Sequence, residues 1–268
     1  MPQLSVVIIT KDEAANIEAA LASVAWADER IVVGAESSDG TPAIAERCGA
    51  RVLVRPWPGY SAQKNYAAAV ACHDWILSID ADERVSPELA AELRDLMGRE
   101  PRAAGYRVPR VTFHLGRWIR STDWYPDYQL RLYDRRTGRW NEDRLVHESV
   151  QVQGPVATLQ QELQHYAYRD VAHHFSTMEK YTALAARQML RDGRRAHLLD
   201  LVLHPPAAFL RNYVLRAGFK DGAAGFIISA MNAFYVFLKF ARLWELERCS
   251  PSTSTPPARG EGARTRSS

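Results

Sequence analysis

The chain has little cysteine and little excess of either charge. Its three cysteines, Cys48, Cys72 and Cys249, form no Cys-x-x-Cys pair, which argues against a disulfide framework or a zinc site and favours a reducing compartment. Thirty-four basic residues against 31 acidic ones leave a formal net charge of +3, so the composition gives no indication of nucleic acid as a partner. Internal repeats are also absent. These absences leave an ordinary globular protein.

The N-terminus lacks the features of a signal peptide. No basic region precedes the apolar run in MPQLSVVIIT, and no Ala-x-Ala site follows it. The run is rich in β-branched residues, which is typical of a buried strand. We therefore expect the chain to begin with the first strand of its fold.

Strands and helices alternate over the first hundred residues. Apolar β-branched runs predict strands, and helical spacing of apolar residues predicts the helices between them. The fourth helix has clear end signals, with Ser86 as cap, Pro87 at its first position and Gly98 beyond its end. The pattern predicts an α/β fold with a mostly parallel central sheet flanked by helices. The predicted strands are 4–9, 30–33, 52–54 and 75–79, and the helices are 12–24, 39–48, 61–70 and 86–97.

The pattern changes after Gly98. Residues 105–113 and 129–135 are predicted strands, residues 140–165 are predicted to be irregular, and the chain from 171 is predicted to be helical. The tail, residues 249–268, is rich in Ser, Thr, Pro, Gly and Arg, a composition that predicts disorder. We therefore expect four regions: a nucleotide-sugar-binding half (1–105), an acceptor or catalytic half (106–170), a C-terminal helical module (171–248) and a tail (249–268).

Three acids stand at the end of the fourth predicted strand. Asp80, Asp82 and Glu83 follow the apolar run Trp75-Ile-Leu-Ser-Ile. They therefore stand at the carboxyl end of the predicted strand, which is where open α/β sheets bind their ligands. Neighbouring arginines, a shifted protonation state or a divalent cation could balance them. A solvated acidic turn before the Ser86 helix is the simpler alternative.

Four motifs occur in the order and spacing of a known family: LSVVIITKDEAANI at the start, ESSDGT at 36–41, QKN at 63–65 and LSIDADE at 77–83. With them the chain resembles the family-two glycosyltransferases of GT-A fold. It is most similar to the lipopolysaccharide-core β-glucosyltransferases. The likeness continues through RLYDR (131–135), VHES (146–149), His165-Tyr166 and GFKDGAAGF (218–226). It implies a GT-A domain with a C-terminal helical module.

The resemblance also implies roles in donor binding and metal binding. Asp82 would coordinate a divalent cation, Mn²⁺ or Mg²⁺, bound to the diphosphate, and His165 would be a further metal ligand. Asp80 would face the ribose, and the cation with its phosphates would offset the acids. The other implied donor-site residues are Thr10, Asp12 and Glu13 in the nucleotide pocket, Asp39 at the uracil or ribose, and Lys64 and Asn65 near the base and diphosphate.

Two departures weaken the expectation for the donor. Gly34 stands where the family has an aspartate that contacts the base, and Asp12 stands where asparagine is more usual. Glu36 is our hypothesis for the residue that reaches the space left by Gly34. Neither departure touches the metal carboxylate, so the reaction class is a firmer inference than the donor.

The second half of the chain must supply a base for the acceptor hydroxyl. Glu148, in VHES, matches the position of the family's catalytic carboxylate, and Asp127 is the second candidate. Arg131 is our candidate to pair with an anionic diphosphate or acceptor phosphate, although a structural ion pair is an equal alternative. Trp124, Tyr125 and Trp140 could stack on sugar faces or belong to the core.

The C-terminal region raises the question of a membrane. The 17 residues from Gly222 to Leu238 carry no charge, a length at the lower limit for crossing a bilayer. Basic residues such as Arg187, Arg194 and Arg211 precede them, which suits the anionic cytoplasmic surface of a membrane. We expect a peripheral module at the inner face of the bacterial inner membrane. The alternatives are a hairpin packed on the transferase domain or in a dimer, and a true membrane span.

Together these patterns predict an inverting, metal-dependent hexosyltransferase. The resemblance implies a UDP-sugar donor, UDP-glucose, and a lipid-linked acceptor, a heptose of the lipopolysaccharide inner core. Transfer to a polyprenyl phosphate is a second possibility, and that reaction needs little help from a base. A degenerate, non-catalytic scaffold in glycan assembly is a third, motivated by Gly34. Sequence leaves the linkage and the oligomeric state open.

Overall fold

The computed structural model of the chain describes residues 2–142 and 149–249, without the side chain of Cys249. The elements of its N-terminal part are β1 (Leu4–Thr10), α1 (Ile17–Ser23), β2 (Glu29–Gly34), α2 (Thr41–Arg47), β3 (Arg51–Val54), α3 (Tyr60–Ala69) and β4 (Trp75–Asp80). Its four strands form a parallel sheet in the order β3-β2-β1-β4. All seven residues of the central strand β1 are buried, as expected for a parallel strand covered on both faces.

The sheet continues beyond β4 with strands from later in the chain. The later elements are β5 (Glu83–Val85), α4 (Pro87–Gly98), β6 (Gly105–His114), β7 (Arg117–Ile119), β8 (Asp127–Asp134), β9 (Gly138–Trp140), β10 (Val150–Val152), β11 (Val156–Thr158) and β12 (Leu163–His165). The order is β4-β8-β6-β12-β5, in which β8 runs antiparallel to both of its neighbours and β6 pairs in parallel with β12. The α/β fold with a mostly parallel central sheet flanked by helices is therefore confirmed.

The prediction of an irregular segment from 140 to 165 is wrong in part. Strands β10, β11 and β12 lie within it, and each has three residues. Such short strands show no periodicity. Strands β11 and β12 form because the distant β6 offers a partner, whereas β10 pairs with the preceding β9. Two end signals also differ. Gly98 is the last residue of α4, and Gly40 takes the cap position of α2 that was expected of Asp39.

Three helices form the C-terminal module: α5 (Val171–Arg191), α6 (Leu198–Leu210) and α7 (Gly222–Cys249). Ala186 and Met189 of α5 form a core with Phe240 and Leu243 of α7, and the partly buried Leu201 of α6 packs against it. The start of α7 also packs on the sheet, where Ala224 and Ile228 share a hydrophobic cluster with Ile119 of β7. By length and composition, residues 218–248 could cross a membrane. Of an 18-residue apolar stretch within this segment, 28% is buried in the protein. The helix is therefore packed on one side and open on another.

The GFKDGAAGF segment joins this module to the sheet. The Asp221 carboxylate accepts hydrogen bonds from the backbone N–H of Arg120 and the hydroxyl of Ser121, and it pairs with Arg117 at 3.2 Å. Gly225 lies so close to Gly218 that a Cβ on it would sit 1.8 Å from the Gly218 carbonyl oxygen. The glycines therefore allow the start of α7 to press against the preceding turn.

Gly225→Ala should destabilise this junction by at least about 2 kcal/mol, because backbone atoms cannot move aside for the methyl group. Gly98→Ala is the matched control, since nothing lies within 4 Å of the added Cβ and the site is helical. The control should be neutral or slightly stabilising. Urea unfolding of both variants measures the difference, and equal stabilities would contradict the close packing.

Candidate active site

The candidate site lies at the carboxyl ends of the first parallel strands. Strand β1 ends at Thr10, β2 at Gly34 and β4 at Asp80, and β1 is hydrogen-bonded to both neighbours. The side chains that follow these strands meet at one edge of the sheet, which is where open α/β sheets bind ligands. The strand ends Thr10, Gly34 and Asp80 are thereby brought to the same edge.

Two of the three acids at this edge are balanced by basic side chains. Glu83 is fully buried, and its Oε1 lies 2.5 Å from Arg131 Nη2 and 2.9 Å from Arg110 Nη1. Asp80 contacts Lys64 Nζ at 2.8 Å and Arg131 Nη2 at 2.7 Å. The expectation that a cation with its phosphates offsets all three acids is therefore wrong for Asp80 and Glu83. Among the alternatives, neighbouring arginines account for these two.

This network keeps the Asp80 carboxylate ionised. Burial alone would raise its pKa, but the charges of Arg131 and Lys64 outweigh burial and hold the pKa well below its usual range. The same carboxylates raise the pKa of Arg131 although its own burial acts in the opposite direction. Because the folded-state pKa of Asp80 is lowered, its contribution to stability is present at neutral pH and is lost only as pH falls through that lowered pKa.

Asp82 has a different partner. Its Oδ2 lies 3.4 Å from His165 Nε2, and the other ring nitrogen of His165 lies 3.3 Å from the Thr112 hydroxyl. The pairing of β5 and β12, which sets Glu83 opposite His165, brings this histidine to the acids. Burial raises the pKa of Asp82, and the hydrogen bond with His165 more than reverses that effect. The two groups remain partly exposed.

These two side chains fit a divalent cation that keeps open positions. A carboxylate and an imidazole whose orientation is fixed by a hydroxyl are suitable ligands for Mn²⁺, and the carboxylate also suits Mg²⁺. Within residues 2–142 and 149–249, no three His, Cys, Asp or Glu side chains are grouped to hold a metal. A cation at Asp82 and His165 would therefore need oxygens from water or from a bound phosphate.

The loops after β1 and β2 are tied together. Asp12 accepts a hydrogen bond from the Ser38 backbone N–H at 2.8 Å, and its own N–H donates to the Ser37 hydroxyl. Asp39 accepts bonds from the N–H groups of Ala14 and Thr41. Burial works against ionisation of Asp39, but the hydrogen bond from the Thr41 hydroxyl, together with these backbone bonds, prevails and lowers its pKa. The two loops therefore form one rim of the site.

Glu13, Glu36 and Gly34 lie along the same rim. Burial raises the pKa of Glu13, and the nearby charges of Asp82, Asp39 and Asp80 raise it further. Glu36 is exposed with φ of 50°. A Cβ on Gly34 would make ordinary contacts, at 3.6 Å from the Thr10 hydroxyl, which is buried and has no hydrogen-bond partner within the described chain. Position 34 therefore has room for a Cβ atom beside this unpaired hydroxyl.

The other predicted residues have structural partners. Asn65 exchanges hydrogen bonds with the backbone of Trp140, at 2.8 and 3.0 Å, and Lys64 lies over the ring of Trp140. Asp127 accepts bonds from Arg110 through one oxygen and from Gln129 through the other. Glu148 lies outside the described residues.

Sequence reasoning missed Arg110 and Thr112. Both belong to β6, where Arg110 bridges Glu83 and Asp127 and Thr112 orients His165. A basic residue between the apolar positions Pro109 and Val111 of a predicted strand was the available signal for Arg110, because a buried guanidinium needs acidic partners. Thr112 gave no comparable signal.

Comparison with known proteins gives matches over most of the chain. The family model described as "Glycosyl transferase family 2" matches residues 5–150. An uncharacterized glycosyltransferase of Rickettsia bellii is 32% identical, over 94% of this chain and 90% of the relative. The lipopolysaccharide core biosynthesis glycosyltransferase LpsC of Rhizobium meliloti is 29% identical, over 90% of this chain and 92% of the relative. Among solved structures, glucosyl-3-phosphoglycerate synthase from Mycobacterium tuberculosis is 25% identical with a TM-score of 0.36, over 43% of this chain and 45% of that protein. That structure contains Mn²⁺, uridine-diphosphate and glucosyl-3-phosphoglycerate.

Glu83→Gln should cost about 3 kcal/mol of folding free energy, because it removes the buried charge that Arg110 and Arg131 share. Asp95→Asn is the matched control, since it breaks an exposed ion pair with Arg99 on α4 and should have no measurable effect. Urea unfolding at neutral pH makes the comparison. A Glu83 variant as stable as the control would contradict the role of this network.

Proposed function

Because the chain belongs to glycosyl transferase family 2, we propose that it transfers glucose from UDP-glucose to a heptose of the lipopolysaccharide inner core, with inversion. The observation that carries the proposal is the Asp82–His165 pair beside the ionised Asp80 at the carboxyl edge of the sheet. The relation to LpsC, whose name gives lipopolysaccharide core biosynthesis, supports the class of acceptor. The resemblance of the sequence motifs to the lipopolysaccharide-core β-glucosyltransferases supports the choice of glucose and heptose.

The donor is proposed to lie along the rim formed by the loops after β1 and β2. Thr10, Asp12, Glu13 and Asp39 would line the nucleotide pocket, and the exposed Glu36 would reach the space beside Gly34. Asp80, with 30% of its side chain exposed and both oxygens held by Lys64 and Arg131, would offer a fixed acceptor to the ribose hydroxyls. Asn65 and Lys64 support this edge through Trp140.

Asp82 and His165 are the proposed ligands of Mn²⁺ or Mg²⁺. A cation bound there supplies Lewis-acid stabilisation of the negative charge on the leaving diphosphate. Thr112 fixes the imidazole so that Nε2 faces Asp82. Arg131 is already paired with two carboxylates, so we assign it to holding Asp80 and Glu83 in place rather than to binding phosphate.

The reaction requires a base for the acceptor hydroxyl. As the hydroxyl oxygen forms its bond to the anomeric carbon, the bond from that carbon to the diphosphate oxygen breaks, and the hydroxyl proton passes to the base. Glu148 is our proposed base, from its place in the family pattern. Asp127 is second because Arg110 and Gln129 already occupy its two oxygens.

The C-terminal module is proposed to bind the inner face of the inner membrane. Exposed apolar side chains concentrate on α6 and the turns that follow it. Exposed Arg194, Arg195 and Lys220 flank this stretch, which fits an anionic lipid surface. The exposed apolar residues of this membrane face are Leu198, Leu199, Val202, Leu203, Leu210, Val214, Leu215 and Phe219.

The test of function is a donor screen against membranes from a strain lacking this protein. We expect UDP-glucose with Mn²⁺ to label the lipopolysaccharide core, and linkage analysis to find the new sugar on heptose. Asp82→Ala should abolish transfer and weaken Mn²⁺-dependent UDP binding at least about tenfold in calorimetry. Asp95→Ala is the exposed control. Full activity of the chelator-treated protein would refute the metal role, and transfer to another acceptor would refute the proposed product.

Binding to the membrane is tested by flotation with lipid vesicles. The wild-type protein should float with vesicles containing anionic lipid, and added salt should weaken this binding. Leu199→Glu with Leu203→Glu should lower partitioning at least about tenfold, because two exposed apolar contacts are lost. Val54→Glu with Val156→Glu, on exposed positions of the sheet, is the control. Equal partitioning of both double variants would contradict this membrane face.

A further inference from the structure

Two exposed aromatic residues stand on the connection between β3 and α3. Trp57 and Tyr60 are 38% and 52% exposed, and their rings meet edge to face with centroids 4.7 Å apart. Pro56 and Pro58 flank Trp57, and Pro58 also restricts the backbone of Trp57 itself. An edge-to-face contact covers one face of one ring, so the other faces can stack on a planar ligand. This aromatic pair is therefore held on a stiff segment and is accessible to a partner.

The segment that carries the aromatic pair begins beside Gly34. Strand β3 ends at Val54, which is paired in register with Gly34 at the end of β2. The backbone N–H of Arg55 then donates to the Gly34 carbonyl oxygen at 3.1 Å. A Cβ on Gly34 would lie 3.9 Å from Val54 Cγ2. The segment therefore leaves the carboxyl edge of the sheet next to the position where glycine replaces the expected aspartate.

Helix α3 brings the aromatic pair to the same part of the site. Tyr60 is the first residue of α3, and Lys64, one turn later on the same face, contacts Asp80 at 2.8 Å. Gln63, also one turn from Tyr60, places its Nε2 3.5 Å from the Gly34 carbonyl oxygen. Long helical side chains lean toward the N-terminus of their helix, so the Lys64–Asp80 contact lies on the side nearer Tyr60. The aromatic pair thus stands at the outer end of the rim.

The dimensions of this edge fit a nucleoside diphosphate that lies across the strand ends. The order β4-β1-β2-β3 spans three strand spacings, about 14 Å, which is comparable with the length of such a molecule. The proposed metal ligands Asp82 and His165 follow β4 and β12, and the aromatic pair follows β3. A diphosphate at the metal end and a ribose at Asp80 would direct the base toward β2 and β3. The base is the planar, uncharged part of the donor, and an exposed aromatic ring suits it.

We propose that Trp57 stacks on the nucleobase of the sugar donor, with Tyr60 supporting its ring. This inference rests on the proposed transferase function and adds a donor-binding residue to it. Glycine at position 34 deprives the base of a carboxylate partner, and stacking supplies affinity that needs no such partner. Stacking on an aromatic ring reads no hydrogen-bonding groups, so the contribution of Trp57 is the same for every base.

The test measures the binding of UDP and of pyrophosphate, each with Mn²⁺, by calorimetry. Trp57→Leu should weaken UDP binding about tenfold, because the base loses its stacking partner. Pyrophosphate has no base, so it should bind the variant and the wild-type protein equally. Trp57→Phe keeps an aromatic ring and should retain most of the UDP affinity. Trp244→Leu, at a tryptophan of similar exposure (40%) on α7, is the control and should bind both probes as the wild type does.

The other outcomes separate stacking from the proposed function. Equal UDP binding by the wild type and Trp57→Leu would refute stacking and leave the function standing. An equal loss of UDP and pyrophosphate affinity would show that Trp57 supports the diphosphate pocket, which also overturns stacking. So would loss of flotation with anionic vesicles at unchanged UDP affinity, because Trp57 would then be a membrane contact. If the wild type binds ADP or GDP through Trp57 but not UDP, stacking stands and UDP-glucose as donor is refuted. If no nucleoside diphosphate binds, both proposals fail.

Discussion

The buried contact between Glu83 and two arginines is the constraint on which the site depends. A carboxylate with no exposed surface needs compensating charge, and Arg110 and Arg131 supply it from β6 and β8. These strands lie beyond β4 in the same sheet, so the ion network joins the antiparallel extension to the parallel half. It also holds Asp80 in its ionised form.

The network also separates the roles of three neighbouring acids. Glu83 is buried, and Asp80 is ion-paired with Lys64. Asp82 instead lies beside His165 at the surface of the site. Only the last is in an environment suited to a cation with open positions. A sequence with three acids in four residues thereby yields a single candidate metal carboxylate, because basic side chains hold the other two.

The helical module adds a second constraint through its junction with the sheet. Asp221 binds the segment after β7, and the contact between Gly218 and Gly225 allows α7 to begin there. The proposed membrane face is part of this module. Its fixed attachment would set the distance between a bilayer, an acceptor glycan and the carboxyl edge of the sheet.

The sequence by itself determined the alternation of β1 to β4 with their helices, because apolar periodicity and caps such as Ser86 are local signals. It also marked Asp82 and the family of the chain through ordered motifs. The tertiary structure decided the strands of 140–165, the pairing of Asp82 with His165, and the partners of Glu83. These contacts join residues far apart in the chain, and no local pattern specifies which distant strand will supply a partner. The Arg131 side chain illustrates the difference: its sequence position allowed a phosphate or a carboxylate, and the fold surrounded it with Asp80 and Glu83.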